Sequence, residues 1–212
     1  AQVASLSTAA TAALTTSQVQ ALTTAQVRGL TNTQLNSLTT AQVASMETAD
    51  VAALSASQVA SLNTTSVAAL TTTQAQALTS AQVASLTTTQ IGALETADLS
   101  AMSTTQLAGL SATQIGRLST AQAAALTTGQ VAGLSATQIA SLSTAATAAL
   151  TTTQVQALTT AQARGLTNTQ LNSLTTAQVA ALTTGQVAGL SASQIASLNT
   201  TSVAALTTTQ AQ

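Results

Sequence analysis

The sequence predicts an all-α solenoid, or superhelix, of very short capped helices, with one helix in every eight residues over residues 1–212. An eight-residue unit, the octad, recurs without insertion or deletion; residues 38–45 read Leu-Thr-Thr-Ala-Gln-Val-Ala-Ser. Each octad carries residues that start a helix, and the chain has no Pro, Phe, Tyr or Trp. Because a short fixed period is typical of repeat architectures, the 45% hydrophobic content indicates a repeat array and not a globular core built on aromatics.

Octad positions are counted from the leucine, so that position one falls at residue 6 and at every eighth residue to 206. Position one is Leu except at Met46 and Met102, and position two is Ser, Thr or Asn except at Glu47 and Glu95. Position five is usually Gln, position six is usually Val, Ile or Leu, and position eight is small except at Arg117. We therefore predict a single uninterrupted solenoid over residues 1–212, taken from a longer repeat tract.

The start of each octad predicts the start of a helix. Thr39 followed three residues later by Gln42 is a capping box, in which each side chain bonds the other residue's backbone N–H. Leu38 and Val43 flank the box at the spacing of a hydrophobic staple. A continuous helix is excluded because eight residues advance about 80° past two full turns, which would wind the leucines around the whole cylinder. Each helix should run from position three to about position eight.

A parallel β-solenoid is the alternative fold. Thr-rich repeats of regular length are compatible with it, and the apolar residues of positions one and six would then face inward. The many Ala residues argue against it because they are weak strand formers. Gly and Asp are also scarce at fixed turn positions.

Composition excludes several classes of function. Three Lys and Arg residues and a net charge of −1 leave no basic patch, so we expect no binding to nucleic acid. Ser, Thr and Gln interrupt every octad, so no apolar run approaches the roughly 18 residues of a membrane span, and we expect no membrane insertion. Without His or Cys no acid–base partner for a nucleophilic Ser or Thr is identifiable, so we predict neither an enzyme nor a cofactor.

The acidic residues form two identical segments, Glu-Thr-Ala-Asp, six octads apart. Because Ca²⁺ prefers oxygen ligands, the weak candidates for metal ligands are these four residues, Glu47, Asp50, Glu95 and Asp98. One pair supplies too few of the roughly six to eight oxygens that Ca²⁺ takes. The favoured interpretation is that the carboxylates complement the positive end of a helix, with Asp replacing Gln, and we predict no metal site.

The remaining polar departures indicate surface roles. Arg28, Arg117 and Arg164 are predicted to be exposed, and the first and third belong to duplicated segments. Asn63 and Asn199 begin Asn-Thr-Thr sequences that match a glycosylation sequon, but Asn also suits the N-cap that position two requires.

The octad Leu-Thr-Thr-Ala-Gln-Val-Ala-Ala, found at 174–181, resembles the octapeptide-repeat tracts of large secreted or surface adhesin-like proteins of Gram-negative bacteria. The resemblance covers the whole chain and implies an extracellular or cell-surface filament or stalk. The resemblance does not imply the haem site suggested for some of these proteins, because the chain has no His, Cys or Tyr to bind haem iron. The opening Leu-Thr-x-x-Gln-Val also looks like the helix start of DNA-reading effector repeats, but the scarcity of Lys and Arg and the period of eight exclude that function.

Two functions follow as expectations. The first is a structural rod or self-assembling filament at the bacterial surface, whose partner is a second copy of the chain. Nearly identical units and near-zero net charge both favour such packing. The second is a binding module whose rows of Thr face a repetitive target such as ice or a surface polysaccharide.

Position one should be the position most sensitive to substitution. Replacing Leu126 or Leu134 by Ala is expected to lower the free energy of unfolding by about 2–5 kcal/mol, because a large apolar side chain leaves the core. Thr137→Ala, at position four, should be close to neutral. Denaturant melts of the variants measure both effects, and equal tolerance of the two changes would contradict the assignment of positions.

Overall fold

A computed structural model describes residues 3–211 of the chain. These residues form 25 α-helices and one 3-10 helix, and they contain no β-strand. The predicted all-α fold is therefore confirmed, and the parallel β-solenoid is wrong. The α-helices are four to six residues long and begin at position three, as predicted.

The chain divides into two compact units, with the boundary between Gly109 and Leu110. In the first unit the 3-10 helix Val3–Ser5 precedes helices α1 Thr8–Ala12, α2 Thr16–Gln20, α3 Thr24–Arg28, α4 Asn32–Leu35, α5 Thr40–Ser45, α6 Thr48–Ala53, α7 Ala56–Ser61, α8 Thr64–Ala68, α9 Thr72–Ala77, α10 Ser80–Ser85, α11 Thr88–Ala93, α12 Thr96–Ala101 and α13 Thr104–Ala108. The second unit holds α14 Ala112–Ile115, α15 Thr120–Ala125, α16 Thr128–Gly133, α17 Ala136–Ser141, α18 Thr144–Ala149, α19 Thr152–Ala157, α20 Thr160–Gly165, α21 Asn168–Ser173, α22 Thr176–Ala181, α23 Thr184–Ala188, α24 Ala192–Ala196 and α25 Thr200–Ala205. Each unit is a solenoid of short helices, and one uninterrupted solenoid over both stays a prediction.

Most helices begin with the predicted capping box. At α5, the Thr39 hydroxyl accepts from the Gln42 backbone N–H at 3.3 Å, and Gln42 Oε1 accepts from the Thr39 backbone N–H at 2.6 Å. Both bonds satisfy N–H groups that the first turn of a helix leaves without partners. The helices that lack the complete box are those in which position five is not Gln, namely α1, α6, α8, α12, α18 and α25.

Many helices end at an extended leucine, without a glycine turn. Leu54, which follows α6, has φ −58° and ψ 144°, and its N–H bonds the Val51 carbonyl at 3.3 Å. No residue among 3–211 has a positive φ. Because this type of ending requires no left-handed residue, the octad needs neither the Gly nor the Asn that commonly ends a helix.

Helices pack against the third helix along the chain. In the first unit α6 contacts α3 and α9, and in the second unit α17 contacts α14 and α20. One superhelical turn of each unit therefore contains three octads, or 24 residues. The octad pattern is the same in every repeat, so it carries no signal for this number.

Positions one, five and six form the core. In one representative octad Leu134 is 4% exposed, Gln138 5% and Ile139 0%. Positions two to four are mostly exposed, and positions seven and eight are mostly intermediate in burial or exposed. The burial of positions one and six was predicted, but the burial of glutamine at position five was not.

Glycines mark places where successive turns approach closely. A Cβ added to Gly116 would lie 2.8 Å from the Ser141 carbonyl oxygen, and one added to Gly165 would lie 2.9 Å from Ala136 Cβ. At these two positions the absence of a Cβ allows close contact between helices.

Candidate functional site

The buried glutamine of position five bonds two successive turns together. In α10, Gln82 Oε1 accepts from the Thr79 backbone N–H at 2.7 Å, which completes its own capping box. Its Nε2 donates to the carbonyl oxygens of Leu54 at 2.7 Å and Val51 at 3.0 Å, at the end of α6 in the preceding turn. One amide therefore satisfies the start of its own helix and the end of another.

This bond explains why position five is Gln. Glutamate completes a capping box equally well, but it has no N–H to donate to the carbonyls of the preceding turn. The donation always reaches the position-one carbonyl 28 residues earlier, and we call this set of bonds the glutamine ladder. In the first unit the donors are Gln34, Gln42, Gln58, Gln74, Gln82, Gln90 and Gln106. In the second unit they include Gln138, Gln154, Gln162, Gln170, Gln178, Gln186, Gln194 and Gln210.

An asparagine pair replaces the ladder where position five is Ser. Ser66 is too short to reach the N-cap Asn63 or the preceding turn. Instead, Asn36 Oδ1 accepts from the Asn63 backbone N–H at 2.7 Å, and Asn36 Nδ2 donates to the Ser61 carbonyl at 2.8 Å. The second unit repeats this network with Asn172, Asn199, Ser197 and Ser202. The octad pattern does not connect Asn36 with Ser66, although both residues depart from the consensus and recur as Asn172 and Ser202.

The acidic residues fall into two different environments. Glu47 and Glu95 are exposed N-cap residues whose side chains form no cap hydrogen bond. Asp50 and Asp98 take the place of the ladder glutamine, and each is 2% exposed. Burial raises the pKa of Asp50, and Glu47 raises it further.

The Asp98 carboxyl faces the preceding turn. Its Oδ1 accepts from Thr72 Oγ1 at 2.8 Å, whereas its Oδ2 is buried without a hydrogen-bond partner. Burial raises the pKa of Asp98; the Thr72 bond opposes that increase, and Glu95 adds to it. Asp50 Oδ2 is likewise buried without a partner.

Residues 3–211 contain no group of three or more His, Cys, Asp or Glu side chains that could hold a metal ion. They also enclose no pocket. The absence of metal, cofactor and catalytic residues stays a prediction from the sequence. Within the same residues, every helix is too short to cross a bilayer.

The arginines and the sequon asparagines lie where the sequence predicted. Arg28, Arg117 and Arg164 are exposed. Asn63 Oδ1 accepts from the Ser66 backbone N–H at 2.8 Å, and Asn199 makes the same bond at its own helix, so both act as N-caps.

Comparison with known families identifies the repeat. The sequence matches the ALTTAQ repeat over residues 19–48, 43–80, 91–128, 123–160 and 159–192, which together cover more than half of the chain. A comparison with curated proteins gave no match.

The glutamine ladder can be tested at a single atom. Gln82→Glu preserves the capping box but places a carboxylate oxygen against two carbonyls, so it should lower the free energy of unfolding by at least about 1–3 kcal/mol at neutral pH. Gln18→Glu is the matched control, because Gln18 is exposed and caps its own helix, with no other acceptor for its amide among the described residues. Denaturant melts followed by circular dichroism compare the two, and an equal loss in both variants would argue against the ladder.

The asparagine pair can be tested by a double-mutant cycle. Asn36→Ala should destabilise the chain by about 1–3 kcal/mol because it leaves the Asn63 N–H and the Ser61 carbonyl without partners. Ser66→Gln should rescue much of that loss by rebuilding the ladder, yet add little when Asn36 is present. Strictly additive effects would show that the two residues do not substitute for each other.

Proposed function

We propose that this chain, which belongs to the ALTTAQ repeat family, is a non-catalytic structural protein that forms a rod or self-assembling filament at the bacterial surface. The observation that carries the proposal is the glutamine ladder. In most octads of each unit the glutamine donates to a carbonyl of the preceding turn, so the same turn-to-turn contact recurs many times along the unit. Stability in such an array accumulates with the number of unit-to-unit interfaces.

The apolar residues of the octad are largely covered within a single chain. Leu134 and Val131 are buried by neighbouring turns of their own unit, at 4% and 0% exposure. Self-association must therefore use side chains that neighbouring turns leave uncovered.

A candidate surface for association lies on the last described turn. Ile195 and Val203 occupy position six, yet they are 44% and 53% exposed, whereas Ile139 in the same position is 0% exposed. On the first described turns the exposed Gln18 has a free amide donor of the kind that the ladder uses. Apolar side chains on one surface and donors on the other match the two sides of the turn-to-turn interface, so in the isolated 212-residue chain a second copy can supply what each surface lacks.

The outward positions support a role on the cell surface. Positions two to four carry mainly uncharged Ser, Thr and Ala and form no pocket among the described residues. Extracellular localisation rests on the resemblance to repeat tracts of surface adhesin-like proteins, and immunolabelling of intact cells tests it.

A repetitive-surface binding module is the second candidate. In the stack of α3, α6, α9 and α12, the position-three residues Thr24, Thr48 and Thr96 are exposed, whereas Thr72 is half-buried and donates to Asp98. The position-two hydroxyls are already engaged as N-caps and are less available to a ligand. Thermal-hysteresis and polysaccharide-pulldown assays on the monomer distinguish this function, since the structural function predicts activity in neither.

Dilution tests the proposed self-association. Sedimentation velocity of the 212-residue chain should show assemblies at micromolar concentration that dissociate toward nanomolar concentration, with a loss of helical circular dichroism. The double variant Ile195→Asp/Val203→Asp should remain monomeric because charged groups then occupy the proposed apolar contact. Thr137→Asp, an exposed change elsewhere, should assemble like the unmodified chain.

A monomer at all concentrations, with its full helical signal at nanomolar concentration, would contradict self-association. It would leave a self-sufficient stalk.

A further inference from the structure

We propose that Asp50 and Asp98 are proton-binding sites that make the first unit more stable in acidic solution than at neutral pH. The inference is independent of the proposed structural function. It follows from what these two residues replace in the glutamine ladder.

Both aspartates belong to one stack of helices in the first unit. α6 packs against α3 and α9, and α9 packs against α12, so Asp50 and Asp98 lie two turns apart with Gln74 between them. Gln74 makes the usual ladder bond to the Met46 carbonyl at 2.7 Å. The two aspartates thus interrupt the ladder in alternate turns of the same stack.

Each aspartate removes a donor from the interface and adds an acceptor. A glutamine at residue 50 would donate to the Leu22 carbonyl, and one at residue 98 would donate to the Leu70 carbonyl, 28 residues earlier. Neither carbonyl receives a hydrogen bond within the described chain. The Asp98 carboxyl points into this interface, as its bond to Thr72 shows, and its Oδ2 has no partner. When ionised, a carboxylate is an acceptor only, so it cannot bond a carbonyl.

A proton corrects both defects. Protonation removes a charge that is costly to bury and converts one carboxyl oxygen into an O–H donor. The acid then regains the kind of donor that Gln supplies at this position in other turns. A metal ion is less favoured because the described residues gather no third acidic ligand around either aspartate.

Burial sets the direction of the pKa shift at both aspartates, and the neighbouring glutamates add to it. Glu47 and Glu95, each three residues away, raise the pKa of Asp50 and Asp98 and so favour the protonated form. Helix α6, which carries Asp50, packs against α3 and α9; α3 contains Arg28, and α9 contains no charged residue. Helix α12, which carries Asp98, also packs against α9 and so receives no charge from it. Burial raises the pKa of both aspartates above the ordinary value of 3.8. The folded state therefore binds the proton more tightly than the unfolded state does, so protonation increases the free energy of unfolding. This increase is complete below the unfolded pKa and is lost as the pH rises through the folded pKa.

Hydrogen exchange on the complete chain tests the proposal. Protection factors, which correct for intrinsic exchange rates, should rise several-fold in α6, α9 and α12 between pH 7 and a pH below the unfolded value of 3.8. Helices α16 to α24 serve as an internal control because residues 110–212 contain no Asp or Glu, and their protection should not change.

Two pairs of substitutions separate the buried from the exposed carboxyls. Asp50→Asn/Asp98→Asn should abolish the pH dependence, whereas Glu47→Gln/Glu95→Gln should retain most of it. The proposal is overturned if protection in α6 and α12 is the same at both pH values, or if the asparagine variant keeps the difference. It is also overturned if millimolar Ca²⁺ at pH 7 reproduces the effect of acid, since the pairs would then be cation sites.

Carbon-13 NMR of the unmodified chain tests the proposal even if the substituted variants fail to fold. Only two aspartates are present, so selective labelling of their carboxyl carbons gives two signals. Both should titrate with midpoints above 3.8, and midpoints at or below that value would overturn the proposal.

Discussion

The hydrogen bond from the position-five amide to the carbonyls of the preceding turn is the interaction on which the rest of the structure depends. A helix of four to six residues has almost no internal hydrogen bonds, because the first four N–H groups and the last four carbonyls have no intrahelical partner. Isolated helices of this length are not stable in water. A fold made only of such helices must satisfy those groups through caps and neighbouring turns, and Gln does both with one side chain.

The apolar positions and the ladder share the core without conflict. Leu at position one and Val or Ile at position six are buried together with the amide, as Leu134, Gln138 and Ile139 show. Burial in this setting strengthens a satisfied hydrogen bond and makes a missing one costly. This explains how a chain without aromatic residues specifies one packing arrangement. It also explains why the same interface can be repeated many times, which is what a rod or filament requires.

The octads with Ser and those with Asp in place of glutamine show two different outcomes. Where Ser66 and Ser202 stand at position five, an asparagine from another octad bonds the N-cap in its place, in both units. Where Asp50 and Asp98 stand there, no side chain substitutes and a buried carboxyl oxygen remains without a partner. The first arrangement preserves the interface at every pH, whereas the second links part of one unit to the proton concentration. Variation within an almost uniform repeat is therefore not always neutral.

The sequence by itself determined the helical class, the start of each helix and the burial of positions one and six. These properties depend on residues within a single octad, such as Thr39, Gln42 and Val43, so their spacing is sufficient to predict them. Only the tertiary structure decided that three octads form a turn, that Gln82 reaches Leu54, and that Asp98 is buried. Contacts 28 residues apart depend on how closely and at what angle helices pack, and an eight-residue pattern repeated identically fits several numbers of octads per turn. The spacing within the octad therefore predicts the capping-box hydrogen bond of each glutamine, but it does not predict the bond from its amide to the preceding turn.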